Sequence, residues 1–329
     1  VVERVREQVR ASGLLAPGAR VVAMLSGGRD SVCLLDVAVA LCGAEKVWAL
    51  HVNYGLRPES DADEDHCRAL CAQMGVGVEV RRARREPGGG GNVHAWARDT
   101  RYAAAGELAD RMDASILAGH TATDQAETIL YRLAASPGRR ALLGMSAREG
   151  RLVRPLLGVT REQTAAYCTE LGLAWREDSS NDSAQYARAR VRNRLLPALD
   201  AVHPAARANL LRTAELLREE TELLDALVDA ELNGASSIAI ERLDALAPAL
   251  ARLVVIRLAE DAAGTYVPQA GERVGEILAL ARRGGGAELH VGGLACAVIA
   301  GGELRMKRIE PRPQRDARRF EPRAHHDPQ

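Results

Sequence analysis

VVAMLSGGRDSVCLLDVAVALC, residues Val21 to Cys42, decides the fold. A short apolar run, Val21–Leu25, enters a Gly-Gly turn, and Ser31–Cys42 then reads as a helix. Such a run, bounded by a turn, suits a strand buried on both faces. Gly27 and Gly28 permit close backbone approach and unusual dihedrals. Ser26 and Ser31, on either side of Arg29, bring hydroxyls that can hydrogen-bond to an anion. The helix start adds unpaired N–H groups and the positive end of its dipole. Strand, SGGRDS and helix together make a phosphate cradle that needs no lysine. Lys46 and Lys307 are the only lysines in the chain. The loop has neither GxxxxGK[ST] nor GxGxxG, which excludes a P-loop and argues against a dinucleotide site. Asp30 puts an acid beside the cradle, so Mg2+ or a hydrogen-bond donor is expected to share the site.

The same alternation continues outward from this stretch. Val47–Val52, Val76–Arg82 and Ser115–Ala118 read as strands. Ser60–Met74, a segment capped by Asn92 and running to about Met112, and Thr123–Ala135 read as helices. A Pro-Gly loop at Glu86–Asn92 precedes the Asn92 helix. Short apolar runs alternating with helices predict parallel crossover units. The expected class is α/β, an open parallel sheet with helices on both faces, Rossmann-like. Polar sites in such sheets lie at the carboxyl ends of the strands. Leu152–Leu157, Thr160–Gly172 and Leu173–Trp175 read as the close of this domain, with a polar turn at Asp178–Ser183. A long helix from His203 to Leu232, then Leu243–Glu260 and Ala270–Arg283, suggest a helical module. Residues 287–308 show short β-like runs, and the Pro/Arg/His tail from Glu310 lacks the apolar content for a core. The expected domains are 1–200, 201–284 and 285–329.

Composition agrees with a globular protein. The 329 residues are 47% hydrophobic and 27% charged, but only 3% aromatic, so Leu, Val and Ala must fill the core. Net charge is zero, which leaves nucleic-acid binding to local clustering. The cysteines Cys33, Cys42, Cys67, Cys71, Cys168 and Cys296 form no CxxC pair and read as small buried hydrophobes in a reducing compartment. No uncharged run approaches the roughly 18 residues of a membrane span, and the N-terminus is amphipathic, so a cytoplasmic protein is expected.

Several polar segments fall at predicted strand ends. His120 follows the Ser115–Ala118 run; Asp124 and Thr128 share a helix face, with Glu127 close by. They are either a reaction site or solvated residues at a helix start. His51 and Asn53 end the second strand, where a nucleotide base or adenylate could sit. Arg98 and Arg101 are neighbours on a helix; they either meet phosphate or base, or pair with Asp99 or Glu107. Arg188, Arg190, Arg192 and Arg194, beside Tyr186 and Asn193, form either a phosphate-binding face or a solvated charge run. A second basic region from Arg305, with Lys307, Arg308, Arg312, Arg315, Arg318 and Arg319, either holds RNA or solubilises the tail.

SGGRDS resembles the SGGxDS loop of the N-type ATP pyrophosphatase, or PP-loop, family. Further segments resemble one branch of it, the tRNA(Ile)-lysidine synthases. These are HVNYGLRPESDADEDHC, NVHAWARDTRY, GHTATDQAETILYRL, LLGM and RLVRPLLGVTREQTAAYCTELGLAWREDSSND. The likeness is strong over about residues 20–200. It implies an adenine nucleotide alpha hydrolase-like fold and a ligase that forms a carbon–nitrogen bond. ATP, with Mg2+, would adenylate C2 of the wobble cytidine in the CAU anticodon of isoleucine tRNA, and free L-lysine would displace AMP.

Carried onto this sequence, Ser26, Gly27, Gly28, Arg29, Asp30, Ser31, His51 and Asn53 would bind the nucleotide. Asp30, Arg101, His120, Asp124 and Glu127 would be catalytic, with Asp30 and Asp124 holding Mg2+. Arg98, Thr128, Arg188, Arg192 and Arg194 would meet lysine or tRNA. The resemblance leaves the oligomeric state open, with a homodimer as one option. Four positions depart from the family pattern: Thr121 and Thr123 replace His and Asp, Tyr54 replaces the second His of HVNHG, and His94 replaces a Glu. These departures strip charge from the amine and metal surroundings but leave the cradle intact. The competing expectations are another PP-loop tRNA-modifying enzyme that adenylates its substrate, or a catalytically weakened tRNA-binding homologue. A thiolase commonly carries the CxxC pair that is missing here.

Overall fold

A computed structural model describes residues 1–85, 92–135, 138–176 and 187–310. The Glu86–Gly91 part of the Pro-Gly loop, the Asp178–Ser183 turn, Tyr186 and the tail beyond Glu310 lie outside the described residues. Two compact units divide at Arg218/Glu219.

The first unit contains α1 (Val2–Ala11), β1 (Val21–Met24), α2 (Arg29–Cys42), β2 (Val47–Asn53), α3 (Ser60–Met74) and β3 (Gly77–Arg82). It continues with α4 (Val93–Met112), β4 (Ser115–Leu117), α5 (Ala122–Ala135), α6 (Arg139–Leu142), β5 (Arg148–Glu149), β6 (Leu152–Val153) and α7 (Arg161–Glu170). Then come α8 (Ala187–Arg190), a π-helical turn at Val191–Leu195, α9 (Leu196–Val202) and α10 (Ala206–Leu232), within which the unit boundary falls. The sheet order is β3-β2-β1-β4-β6-β5. Every pairing is parallel except that of β5 with β6. This is the expected open α/β sheet, with an antiparallel edge added.

Strand periodicity divides the core between two faces. Val21 and Ala23 of β1 pack with Leu34, Leu35, Val37, Leu156 and Tyr167. Val22 and Met24 pack on the other face with Leu50, Val52, Ala105 and Leu108. All four β1 residues are buried, as a central parallel strand requires. Asn92 caps α4 by accepting from the His94 N–H, and Thr160 opens α7 with a capping box completed by Gln163. Arg6, on α1, ties this face together: its Nη2 lies 2.8 Å from Asp36 Oδ1 and its Nε 3.0 Å from the Tyr167 hydroxyl.

The structure shortens one expected strand. Leu152–Leu157 forms β structure only at Leu152–Val153, because Pro155 has no N–H for a ladder. Leu156 is nevertheless fully buried.

The second unit contains β7 (Ser237–Ala239), α11 (Ile240–Ala245), α12 (Pro248–Ala263), α13 (Val274–Arg282), β8 (Ala287–Gly292), β9 (Ala295–Ala300) and β10 (Glu303–Arg308). Its antiparallel sheet runs β7-β10-β9-β8. The helix expected over Leu243–Glu260 is two helices, since Pro248 begins a new one. Strand β7 is three residues long and gave no readable periodicity. Val254, Val255, Leu258, Ile277, Ala297, Ile299 and Leu304 join helices and sheet in one core.

All six cysteines are free and buried. Burial raises the Cys67 and Cys168 thiols to about 12 and Cys71 to about 11, so they are not poised as nucleophiles. Among the described residues, no helix is long and apolar enough to cross a membrane.

Candidate functional site

The SGGRDS loop leaves β1 at its carboxyl end and closes on itself. Ser31 Oγ accepts from the Ser26 N–H at 3.2 Å and donates to the Gly28 carbonyl at 2.8 Å. The two serine hydroxyl oxygens are 3.1 Å apart. Ser31 is buried while Ser26 is exposed, so one serine braces the loop and the other can face a ligand. Gly27 takes φ +86°, which a side chain would resist. Gly119, at the end of β4, lies against the loop: a Cβ there would be 3.2 Å from the Asp30 carbonyl oxygen and 3.3 Å from Ser31 N. The β1 and β4 ends thus meet at the first turn of α2, where polar sites in such sheets are expected.

Asp30 is shared with α7. Its Oδ1 accepts from Thr164 Oγ1 at 2.5 Å, and its Oδ2 lies 3.2 Å from Arg161 Nε. Burial pushes the Asp30 carboxyl above its usual range; the Thr164 bond and Arg161 pull it back, while nearby Asp124 pushes upward. Arg161 and Thr164 were not singled out in the sequence. They sit more than 130 residues from Asp30 in the chain. The only local signal was the T-x-x-Q capping box at Thr160, which fixes where α7 begins.

At the start of α5, Thr121 replaces lost charge with a cap. Asp124 Oδ2 accepts from both the Thr121 N–H, at 2.9 Å, and the Thr121 hydroxyl, at 2.8 Å. Thr121 Oγ1 lies 3.4 Å from Asp124 N, the reciprocal arm of a capping box. Thr123 Oγ1 accepts from the Arg161 N–H at 3.3 Å. Gln125 grips Met145 through its backbone N–H and carbonyl, at 2.7 and 2.9 Å. That contact accounts for the LLGM segment as support for α5.

Glu127 is buried and paired with Arg192 through two contacts, Nε–Oε1 2.5 Å and Nη2–Oε2 3.0 Å. Arg192 Nη2 also lies 3.9 Å from Asp124 Oδ1. Arg192 therefore faces inward, in contrast to the expected outward phosphate contact. Arg188, before the π-helical turn at Val191–Leu195, and Arg194, within it, are exposed. Thr128 is buried with its hydroxyl unsatisfied. His120 Nδ1 is likewise buried without a hydrogen-bond partner. Burial holds the His120 imidazole well below its ordinary value; Asp124 opposes this, and Arg154, Arg101 and Arg98 reinforce it. His120 is therefore neutral at neutral pH and beside cations.

His51 and Asn53 take structural partners. His51 Nδ1 is 2.9 Å from the Leu25 carbonyl, and burial lowers its pKa. Asn53 Nδ2 donates to Asp61 at 2.9 Å and to Glu64 at 3.0 Å, and its Oδ1 accepts from the Gly55 N–H at 2.9 Å. Both brace the β2 end beside the loop. Arg98 lies over the Tyr102 ring, 4.8 Å from its centroid, with Arg101 at 5.6 Å. Arg101 Nε is buried and unsatisfied.

No trio of His, Cys, Asp or Glu among the described residues is arranged to hold a metal. Mg2+ characteristically needs only one or two carboxylates when phosphates supply other ligands. Asp124 is near enough to push the Asp30 carboxyl upward, and Asp124 Oδ1 remains outside the capping box. The donor set thus fits a phosphate-borne Mg2+, and does not fit a site made by protein alone. Beside it, Arg29, Thr123, Arg161, Glu162, Arg192, Leu196 and Arg207 line a cleft in which cations outnumber the one acid.

Residues 3–199 match the family model described as the PP-loop domain. The tRNA(Ile)-lysidine synthase of Pseudomonas fluorescens is 41% identical over 218 residues, covering 64% of this chain and 49% of that protein. That of Nocardia farcinica is 41% identical over 240 residues, covering 72% and 74%. That of an Azoarcus species is 35% identical over 306 residues, covering 89% and 67%. The chain thus spans about half the length of the Pseudomonas relative and about three quarters of the Nocardia one. Among solved structures, the U34-tRNA thiolase NcsA from Methanococcus maripaludis aligns with a TM-score of 0.56 and 18% identity, over 66% of this chain and 78% of that one. That likeness is one of fold.

Proposed function

We infer what this chain does from the family to which it belongs: it is a member of the tRNA(Ile)-lysidine synthase family of PP-loop proteins. Its proposed reaction is the ATP-dependent conversion of the wobble cytidine of isoleucine tRNA, in a CAU anticodon, to lysidine. The C2 oxygen attacks the α-phosphorus of ATP, and the bond to pyrophosphate breaks. The ε-amine of free L-lysine then adds at C2, and AMP leaves with the former C2 oxygen. The amine must be neutral to attack and must lose a proton afterwards.

The observation that carries this reading is the loop itself, braced by Ser31 and closely approached by Gly119. Its N–H groups and Ser26 hold the phosphates, with Arg29 and Arg161 beside the leaving pyrophosphate. Mg2+, held by Asp30, Asp124 and phosphate, would neutralise charge on the leaving group. Neutral His120, surrounded by arginines, is a poor proton acceptor. Glu127 positions Arg192 beside Asp124. Arg101 is assigned to the developing negative charge.

An anticodon loop supplies the unstacked base this chemistry needs. Exposed Arg188 and Arg194 are assigned to its phosphates, and the helical segment 201–284 and the extension 285–329 to the body of the tRNA. The cytoplasm is the proposed place of action. Pyrophosphate release under multiple turnover tests the reading: it is expected to require isoleucine tRNA and to rise with lysine. Release indifferent to both would overturn it.

A further inference from the structure

Tyr54 and Trp96 form an aromatic pair just beyond the carboxyl end of β2. Their ring centroids are 5.7 Å apart at 65°, an edge-to-face contact. In that arrangement each ring keeps a face uncovered by the other. Tyr54 is anchored by its hydroxyl, which donates to the Ala97 carbonyl at 2.9 Å. It directly follows Asn53, the carboxyl end of β2, and Trp96 lies in the first turn of α4. Both rings are partly exposed in a chain with only ten aromatic residues.

The surroundings are cationic. Arg98 and Arg101 follow on the same helix, both over the Tyr102 ring, and Arg101 Nε is buried without a partner. Cations beside partly exposed aromatic rings favour a stacked base attached to a phosphate backbone. The same cations repel the ammonium group of lysine. ATP has its own cradle at Ser26–Ser31, with N–H groups and a helix dipole to meet its charge. Neither ring is part of the motif likeness: Tyr54 stands where the pattern has histidine, and Trp96 fills a position the pattern leaves open.

We propose that Tyr54 and Trp96 form a stacking platform for a nucleobase of the single-stranded anticodon loop, with Arg98 nearby for its phosphate. The inference rests on the tRNA reading above and specifies how the loop is held. Trp96 is the positioning residue with the clearest optical signal.

The test uses the full chain carrying Trp48→Phe and Trp175→Phe, which leaves Trp96 as its only tryptophan. An anticodon stem-loop RNA with a CAU loop is expected to quench its fluorescence, and ATP with Mg2+ is not. In the otherwise unaltered chain, Trp96→Ala is expected to weaken stem-loop affinity about 5- to 100-fold, with Trp96→Phe within about threefold of the parent. ATP affinity stays unchanged in both. Quenching by ATP alone, or weakened ATP binding, would assign the platform to adenine and overturn the proposal. So would RNA binding without quenching. Should Trp96→Ala fail to fold, the quenching and the phenylalanine variant still decide. Lysidine formation without quenching sinks this inference alone; quenching without any lysidine formation upholds it and sinks the proposed reaction.

Discussion

Arg192 holds the buried Glu127 carboxylate at two points, 2.5 and 3.0 Å, and lies 3.9 Å from Asp124. A group that reads in sequence as an RNA contact is thus tied into the floor of the site. Arg192→Ala leaves a buried carboxylate without this partner and is expected to cost about 3 kcal/mol of stability. Urea unfolding checks this. Lost tRNA affinity at unchanged stability would return Arg192 to the RNA surface.

Thr164 keeps the Asp30 carboxyl from rising further. Thr164→Val preserves shape but removes the hydrogen bond at 2.5 Å. The Asp30 pKa then moves further up, so the proton leaves at higher pH. The acid limb of pyrophosphate release is expected to shift to higher pH, with tRNA affinity retained. A pH–rate profile with an unmoved limb would remove Asp30 from the rate-determining ionisations.

Gly119→Ala places a methyl 3.2 Å from the Asp30 carbonyl, against backbone that cannot rotate away. The expected result is a loss of about 1–3 kcal/mol, shared between stability and ATP binding. Calorimetric titration with ATP and thermal unfolding measure the two parts. An unchanged ATP affinity and midpoint would show that β4 does not press on the loop.

Glu64 is a separate test of electrostatics away from the chemistry. Hydrogen bonds from Arg82 hold its carboxyl down to about 2, with burial opposing and Asn53 and Arg68 assisting. A depressed acid stabilises the fold above its unfolded value of 4.5, and that contribution disappears as pH falls through about 2. Glu64→Gln is expected to flatten the loss of stability across this window. Denaturant titrations of both proteins from pH 5 to 2 would show parallel losses if the network contributes nothing.

Much of this architecture was legible because its signals are local. The apolar Val21–Leu25 run, the Gly-Gly turn and the capped helices each specify their own conformation, and β1, α2, α3 and α4 lie where the sequence places them. Pro155 and Pro248 broke apolar runs that otherwise read as one element. The candidate site was legible by position and less so by partner. Asp30, His120 and Asp124 could be placed at strand ends, but α7 carrying Arg161 and Thr164 to Asp30 is a tertiary event with no local pattern. Thr121 and Thr123 read as losses of charge; in the structure they are a helix cap and an acceptor for α7. The inward turn of Arg192 goes with its pairing to Glu127, 65 residues away in the chain, which a helical wheel does not represent.

The central proposal is that this chain makes lysidine. Its most direct test is mass analysis of the CAU-anticodon isoleucine tRNA after incubation with the protein, ATP, Mg2+ and L-lysine, followed by digestion to nucleosides. The account predicts that the wobble cytidine gains the mass of one lysine less one water, only when ATP and lysine are both present. An unmodified cytidine under conditions where the protein binds both ATP and this tRNA would contradict it.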